Sequence, residues 1–258
     1  MCLGLVIVSA LGVQRAWFGD LDSAGDRPAV MLTRWMVASL VALTAVVPVF
    51  GAMLAPAAIP AKHELAAAQA EALAGVSGTA MVLGRLIACM RPLLLVILLS
   101  AVLWTVVEWC YRPLTYGSCI SVVDAHVVVL SVLCAAGGVS ALASAKLRGG
   151  RSWSIGPLAA FTFHGLSIFA LFMVNNWLLK AQNPVPVIQG ILLINPVTAV
   201  CTCLKFDLLR VNWVYGKTIA PEFDFQYPGA LISASLFALV SLISVNVAGR
   251  IVGKAVRK

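Results

Sequence analysis

The chain has 258 residues, of which 61% are hydrophobic and only 11% charged, and its mean hydropathy is +0.99. An ordinary soluble domain carries about 25% charged residues, so the composition excludes a soluble globular protein and points to an integral membrane protein. The net charge of +8 does not argue for nucleic acid as a partner, because Lys and Arg collect at the ends of apolar runs, as membrane insertion requires.

A hydrocarbon core of about 30 Å takes roughly 20 apolar residues per helix. On that measure the chain reads as one all-α, polytopic transmembrane domain over residues 1–258 with about six spans. The first, residues 1–18, is apolar as far as Val13, with Arg15 placed to snorkel at its far end. It lacks the basic start and the A-x-A-like site of a signal peptide. The second span is expected over 35–59, from Trp35 to Ile59. Residues 61–85 are too polar to cross. Leu86 to Trp109 (86–109), Ile120 to Ala145 (120–145) and Ile155 to Leu179 (155–179) supply three more spans, and Tyr227 to Val252 (227–252) the last.

Between the last two spans lies the segment 180–226. Its Val185 to Leu204 run is long enough to cross but is marked by Pro184, Pro186 and the pair Asn195-Pro196. Irregular backbone at membrane depth must be shielded by protein or face a wet cavity. A re-entrant hairpin and a span are both open to it, and the six-span count takes the hairpin.

Lys146, Arg148 and Arg151 crowd one short connection, and Arg250, Lys254, Arg257 and Lys258 the tail. The positive-inside rule puts both in the cytoplasm. The expected location is the cell (inner or plasma) membrane, with both termini and residues 61–85 cytoplasmic and 180–226 outside. If 185–204 spans instead, the tail turns outward.

The stretch "AKHELAAAQAEALAGVSGTAMVLGRL", residues 61 to 86, is built from good helix formers as far as Ala74, with Glu64 and Glu71 on one face. Gly75 and Gly78 interrupt it, Ser77 or Thr79 can cap a new helix, and Met81 to Leu86 runs into the next span. The product is an elbow, a short interfacial helix joined to a membrane helix. It serves either as a surface connector or as a docking element that passes force from a soluble partner.

The order of these parts resembles a known family. An apolar span, an elbow with "KHELAAAQ", then "VSGTAMVLGRL", three further spans, "LLINPVTAV" and a last span are similar to the permease subunit of type-2 ATP-binding-cassette exporters. Glu64 matches the family's elbow glutamate, Ser77 its turn serine, and "VLGRL" the opening of the following helix, with Arg85 in place of lysine. "INPVTAV" resembles its Asn-Pro segment. Where the family carries basic and Gly-Thr residues after the glutamate, this chain has Leu65, Ala66 and Ala67.

The resemblance implies alternating access driven by a separate ATP-binding-cassette ATPase subunit, a second permease copy or paralogue as partner, and a lipid bilayer around both. ATP and Mg would then sit on the partner chain, with no cofactor, metal or catalytic residue on this one. Glu64, Glu71 and Arg85 become the expected ATPase-docking residues of the coupling helix. The "VYGKT" at Val214 to Thr218 is no phosphate loop, since Val211 stands where the motif needs glycine.

Two roles are open to Arg91: reaching phospholipid headgroups or lining an inner vestibule. Glu108 and Asp124 are expected at the outer interface. His126 and His164 raise the rival of a haem- or quinone-binding subunit of an electron-transfer complex, although their depths differ by about 15 Å. A non-transporting membrane anchor or assembly subunit is the other alternative. Cys110, Cys119, Cys201 and Cys203 leave room for one disulfide. The small residues from Cys134 to Ala145, and Gly249 with Gly253, suit close helix packing, within the chain or between copies.

Overall fold

The computed structural model describes residues 2–18, 28–61, 64–111, 116–147, 152–207, 218, 220–223 and 225–257. His63, Arg148, Arg151 and residues 214–217 of "VYGKT" lie outside the described residues, as does the side chain of Cys119.

Among the described residues the regular structure is helical throughout. The helices in chain order are α1 (Cys2–Phe18), α2 (Pro28–Leu54), α3 (Leu65–Leu73), α4 (Gly78–Tyr111), α5 (Tyr116–Lys146), α6 (Ser152–Leu178), α7 (Val185–Ile194), α8 (Pro196–Cys203) and α9 (Ala230–Val256). Five segments are long and apolar enough to cross a bilayer: Met31–Ala58, Gly78–Cys110, Ser121–Lys146, Ser154–Leu178 and Ala230–Val256. The chain is therefore an all-α polytopic membrane protein. At about 1.5 Å per residue, α1 is roughly 25 Å long, short of the hydrocarbon thickness, whereas α4, with 34 residues, extends well beyond it.

The chain divides into two compact units. The first gathers Met1–Val46, Val96–Leu130 and Gly165–Ser235. Its core is a cluster of large side chains, with Val37 and Val41 of α2, Leu171 and Leu178 of α6, Ile188 and Leu192 of α7, and Val197 and Cys201 of α8. Phe172, Phe206, Phe223, Phe225 and Tyr227 pack around it.

Within this unit α7 and α8 meet at an 87° bend, and its cause is local. Asn195 is extended (φ −91°, ψ 109°), as a residue before proline prefers. Its Oδ1 accepts from Val197 N at 3.0 Å and Thr198 N at 3.2 Å, capping α8. Its Nδ2 donates to Ile168 O of α6 at 3.1 Å. Pro184 and Pro186 do not break the segment: they begin α7, where a missing N–H leaves nothing unpaired.

The second unit gathers Val47–Leu95, Ser131–His164 and Leu236–Lys258. It is held by small residues. Ala52, Ala136 and Ala160 form its buried centre, and Ser140 Oγ donates to Ala52 O at 2.7 Å. A Cβ on Gly156 would lie 2.8 Å from Ser140 O, and one on Gly138 3.2 Å from Ser241 O. The Gly249 and Gly253 pair is used within the chain, against Gly78 and Thr79.

That contact bears on the topology. It puts the start of α4 and the end of α9 on one side of the bilayer. Four crossings, by α4, α5, α6 and α9, bring the chain back to its starting side only if α7 and α8 leave by the side they entered. By its geometry the bent pair is a broken span or a re-entrant loop, and a re-entrant loop is the form that agrees with that contact if all four helices cross.

Candidate functional site

The elbow is assembled from three local devices. The first ends α3. Gly75 adopts φ +85°, Gly75 N donates to Ala72 O at 3.1 Å, and Val76 N donates to Glu71 O at 3.0 Å. This is the Schellman pattern that satisfies the last carbonyls of a helix and favours glycine at its left-handed position. The second begins α4, where Ser77 Oγ accepts from Ala80 N at 3.1 Å. Of the two residues able to cap, Ser77 is the one used.

The third device ties the two helices together. Arg85, seven residues into α4, sends Nη1 to Glu64 Oε2 at 2.7 Å and Nη2 to Glu71 Oε1 at 3.5 Å. Glu64 Oε2 also accepts from Ala61 N at 3.3 Å. The structure thus brings Glu64, Glu71 and Arg85 into one cluster. The side chains are 40%, 42% and 24% exposed, respectively, so solvent screens the pairs and each contributes at most about 1 kcal/mol. What the cluster supplies is orientation: one guanidinium fork grips both ends of α3.

With its charges engaged in this brace, α3 turns a different surface outward. Ala68 is its buried residue, and Leu73 is 89% exposed, with Val76 exposed beside it. Leu73 was not among the residues that the charge pattern singled out. The available signal was its position as the one large apolar side chain between Leu65 and Val76.

The N-terminal turn of α4 has a second attachment. A Cβ on Gly78 would lie 2.2 Å from Gly249 O, and one on Gly249 would lie 2.4 Å from Thr79 Cα and 2.6 Å from Thr79 N. The two glycines of the elbow therefore do different work: Gly75 supplies a left-handed turn, and Gly78 lets the backbone of α9 approach.

Outside the elbow, Arg91 is exposed on α4. Glu108 is 6% exposed, so it is enclosed by protein and does not lie open at an interface. His126 is buried, and both its ring nitrogens are engaged within the chain, Nδ1 with Val122 O at 2.8 Å and Nε2 with Ser100 Oγ at 3.1 Å. Cys89, Cys110, Cys134, Cys201 and Cys203 are free thiols.

Compared with known protein families, with curated proteins and with solved structures, the chain matches none.

Proposed function

We propose that the chain is the permease subunit of an ATP-binding-cassette exporter, with α3 as the helix through which a separate ATPase subunit drives alternating access. The observation that carries this reading is the Arg85 brace to Glu64 and Glu71. A helix that only covers the membrane surface needs no rigid link to the next span. A helix that transmits force does, because a push on a loosely hinged rod is lost in the hinge.

In this reading the ATPase subunit sits on the cytoplasmic face and hydrolyses ATP with Mg. Its closure presses on the exposed tip at Leu73. The Schellman turn and the Arg85 brace carry the displacement into α4, and the backbone contact at Gly78 passes it to α9. Glu64, Glu71 and Arg85 keep α3 in place, and Leu73 makes the partner contact. A second copy or a paralogue would complete the path.

The test is co-purification. The full chain is expressed with its genomic neighbours and isolated in mild detergent, as wild type and as Leu73→Glu. A soluble ATPase is expected to co-purify with the wild type and to fall by about tenfold with the variant, as for a buried apolar anchor. Because Leu73 is so exposed, the variant keeps its thermal midpoint. Recovery of the wild type without an ATPase, or an unchanged yield of ATPase with Leu73→Glu, overturns the reading.

A further inference from the structure

At the bend between α7 and α8 the amide donors are all engaged. Asn195 N donates to Leu192 O at 3.3 Å, and Ala199 N to Asn195 O at 3.1 Å. Val197 N and Thr198 N both donate to Asn195 Oδ1, Asn195 Nδ2 donates to Ile168 O, and Pro196 has no N–H to give. The acceptors fare differently. In an unbroken helix the amides of Asn195, Val197 and Thr198 would serve Ile191 O, Leu193 O and Ile194 O. Here each of those amides is turned to another oxygen, and the three carbonyls accept no hydrogen bond among the described residues. Thr198 Oγ1, on a residue 1% exposed, has no hydrogen-bond partner among them either.

These oxygens share one enclosed corner. Ile191, Leu192 and every residue from Asn195 to Cys201 are buried, and Ile194 stands at the open edge, 38% exposed. The end of α7 turns the negative pole of its dipole to the bend. Cα–Cβ bonds lean toward the N-terminus of their helix, so the Thr198 side chain leans toward the same bend from α8. A buried helix end without partners for its carbonyls calls for a ligand or water.

Donor and acceptor balance selects the ligand. An anion does not suit a helix C-terminus whose neighbouring amides are already used. A water would bring two donors, but its own oxygen would find only the Thr198 hydroxyl to accept from. A cation is satisfied by oxygens alone. Calcium and zinc take carboxylate, imidazole or thiolate ligands, and the described residues contain no group of three or more His, Cys, Asp or Glu that could hold a metal ion. Broken membrane helices coordinate monovalent cations with unwound carbonyls and half-helix C-termini. We propose that the α7–α8 bend binds an alkali cation through Thr198 Oγ1 and the unshared carbonyls at the end of α7. The assignment is independent of the coupling reading and survives its failure.

Thermal unfolding of the full-length protein in detergent tests the assignment, in sodium, potassium or N-methyl-D-glucamine chloride at constant ionic strength. An alkali cation is expected to raise the midpoint saturably over N-methyl-D-glucamine, because a ligand held only by the folded state stabilises it. Thr198→Ala should raise the half-saturating concentration about tenfold, the low end of what weakening the support of a metal site costs, and Thr198→Ser should leave it unchanged. Equal midpoints in the three salts overturn the assignment, since the oxygens then hold water only. An unchanged half-saturation in Thr198→Ala overturns it too, as does equal loss in the serine and alanine variants, which would signal packing of the methyl group. If Thr198→Ala does not fold, equilibrium dialysis of the wild type with radioactive sodium and rubidium decides: saturable, mutually competitive uptake supports the assignment, and its absence overturns it.

Discussion

The two units bury their helices in opposite ways. The unit built on α7 and α8 interlocks large side chains such as Leu171, Leu178, Ile188 and Leu192. The unit that carries the elbow lets backbones approach over Gly78, Gly138, Gly156 and Gly249. In lipid there is little hydrophobic gain from bringing two apolar helices together, so close packing and backbone proximity must supply the association. Large side chains can adjust to a change by shifting rotamers. A backbone that touches another backbone cannot, so the elbow unit is the less forgiving of the two.

That difference can be broken from either side. The largest effect is expected for Gly249→Ala. Its new methyl would meet the Thr79 main chain, and overpacking outweighs the gain in helix propensity. A net loss of about 2–3 kcal/mol in reversible unfolding is expected, and a neutral or stabilising result would show that the backbones are not in contact. Next comes Asn195→Ala in the other unit. It strips the cap from Val197 N and Thr198 N in a fully buried position. It should lower the unfolding free energy by about 2 kcal/mol, measured in the same way. The smallest is Ile188→Val, which removes one methylene from the large-side-chain cluster and should cost about 1 kcal/mol. If removing that methylene harms the protein more than adding the methyl at Gly249, the contrast between the units is wrong.

Much of this arrangement was legible in the amino-acid order, because the solvent imposes it. Runs of some twenty apolar residues mark the long helices, and Asn195-Pro196 marks the bend, since both its conformation and its cap follow from those two side chains. Ser77 was one of two readable caps. The facing of α4 was not legible, because leucine and valine occupy its lipid side and its protein side alike. Only the structure distinguishes the side of Arg91 and Leu95 from that of Leu86 and Leu93. The enclosure of Glu108 was missed for the same reason: position along a helix gives depth, not direction. Glycine spacing at Gly249 and Gly253 announces a close neighbour without naming it, and the neighbour proved to be Gly78 and Thr79, far away in the chain. The mutual pairing of Glu64, Glu71 and Arg85 needed the turn at Gly75 to be seen in three dimensions.

The contact of Gly78 with Gly249 also bears on biosynthesis. The surface at Gly78 and Thr79 that receives α9 is made early, and α9 is made after every other helix described here. While the ribosome is still delivering the intervening helices, that surface stays uncovered, and the elbow is without its backbone contact to α9. A nascent chain stalled before Gly249 should therefore expose the elbow to protease, and release of α9 into the bilayer should close it.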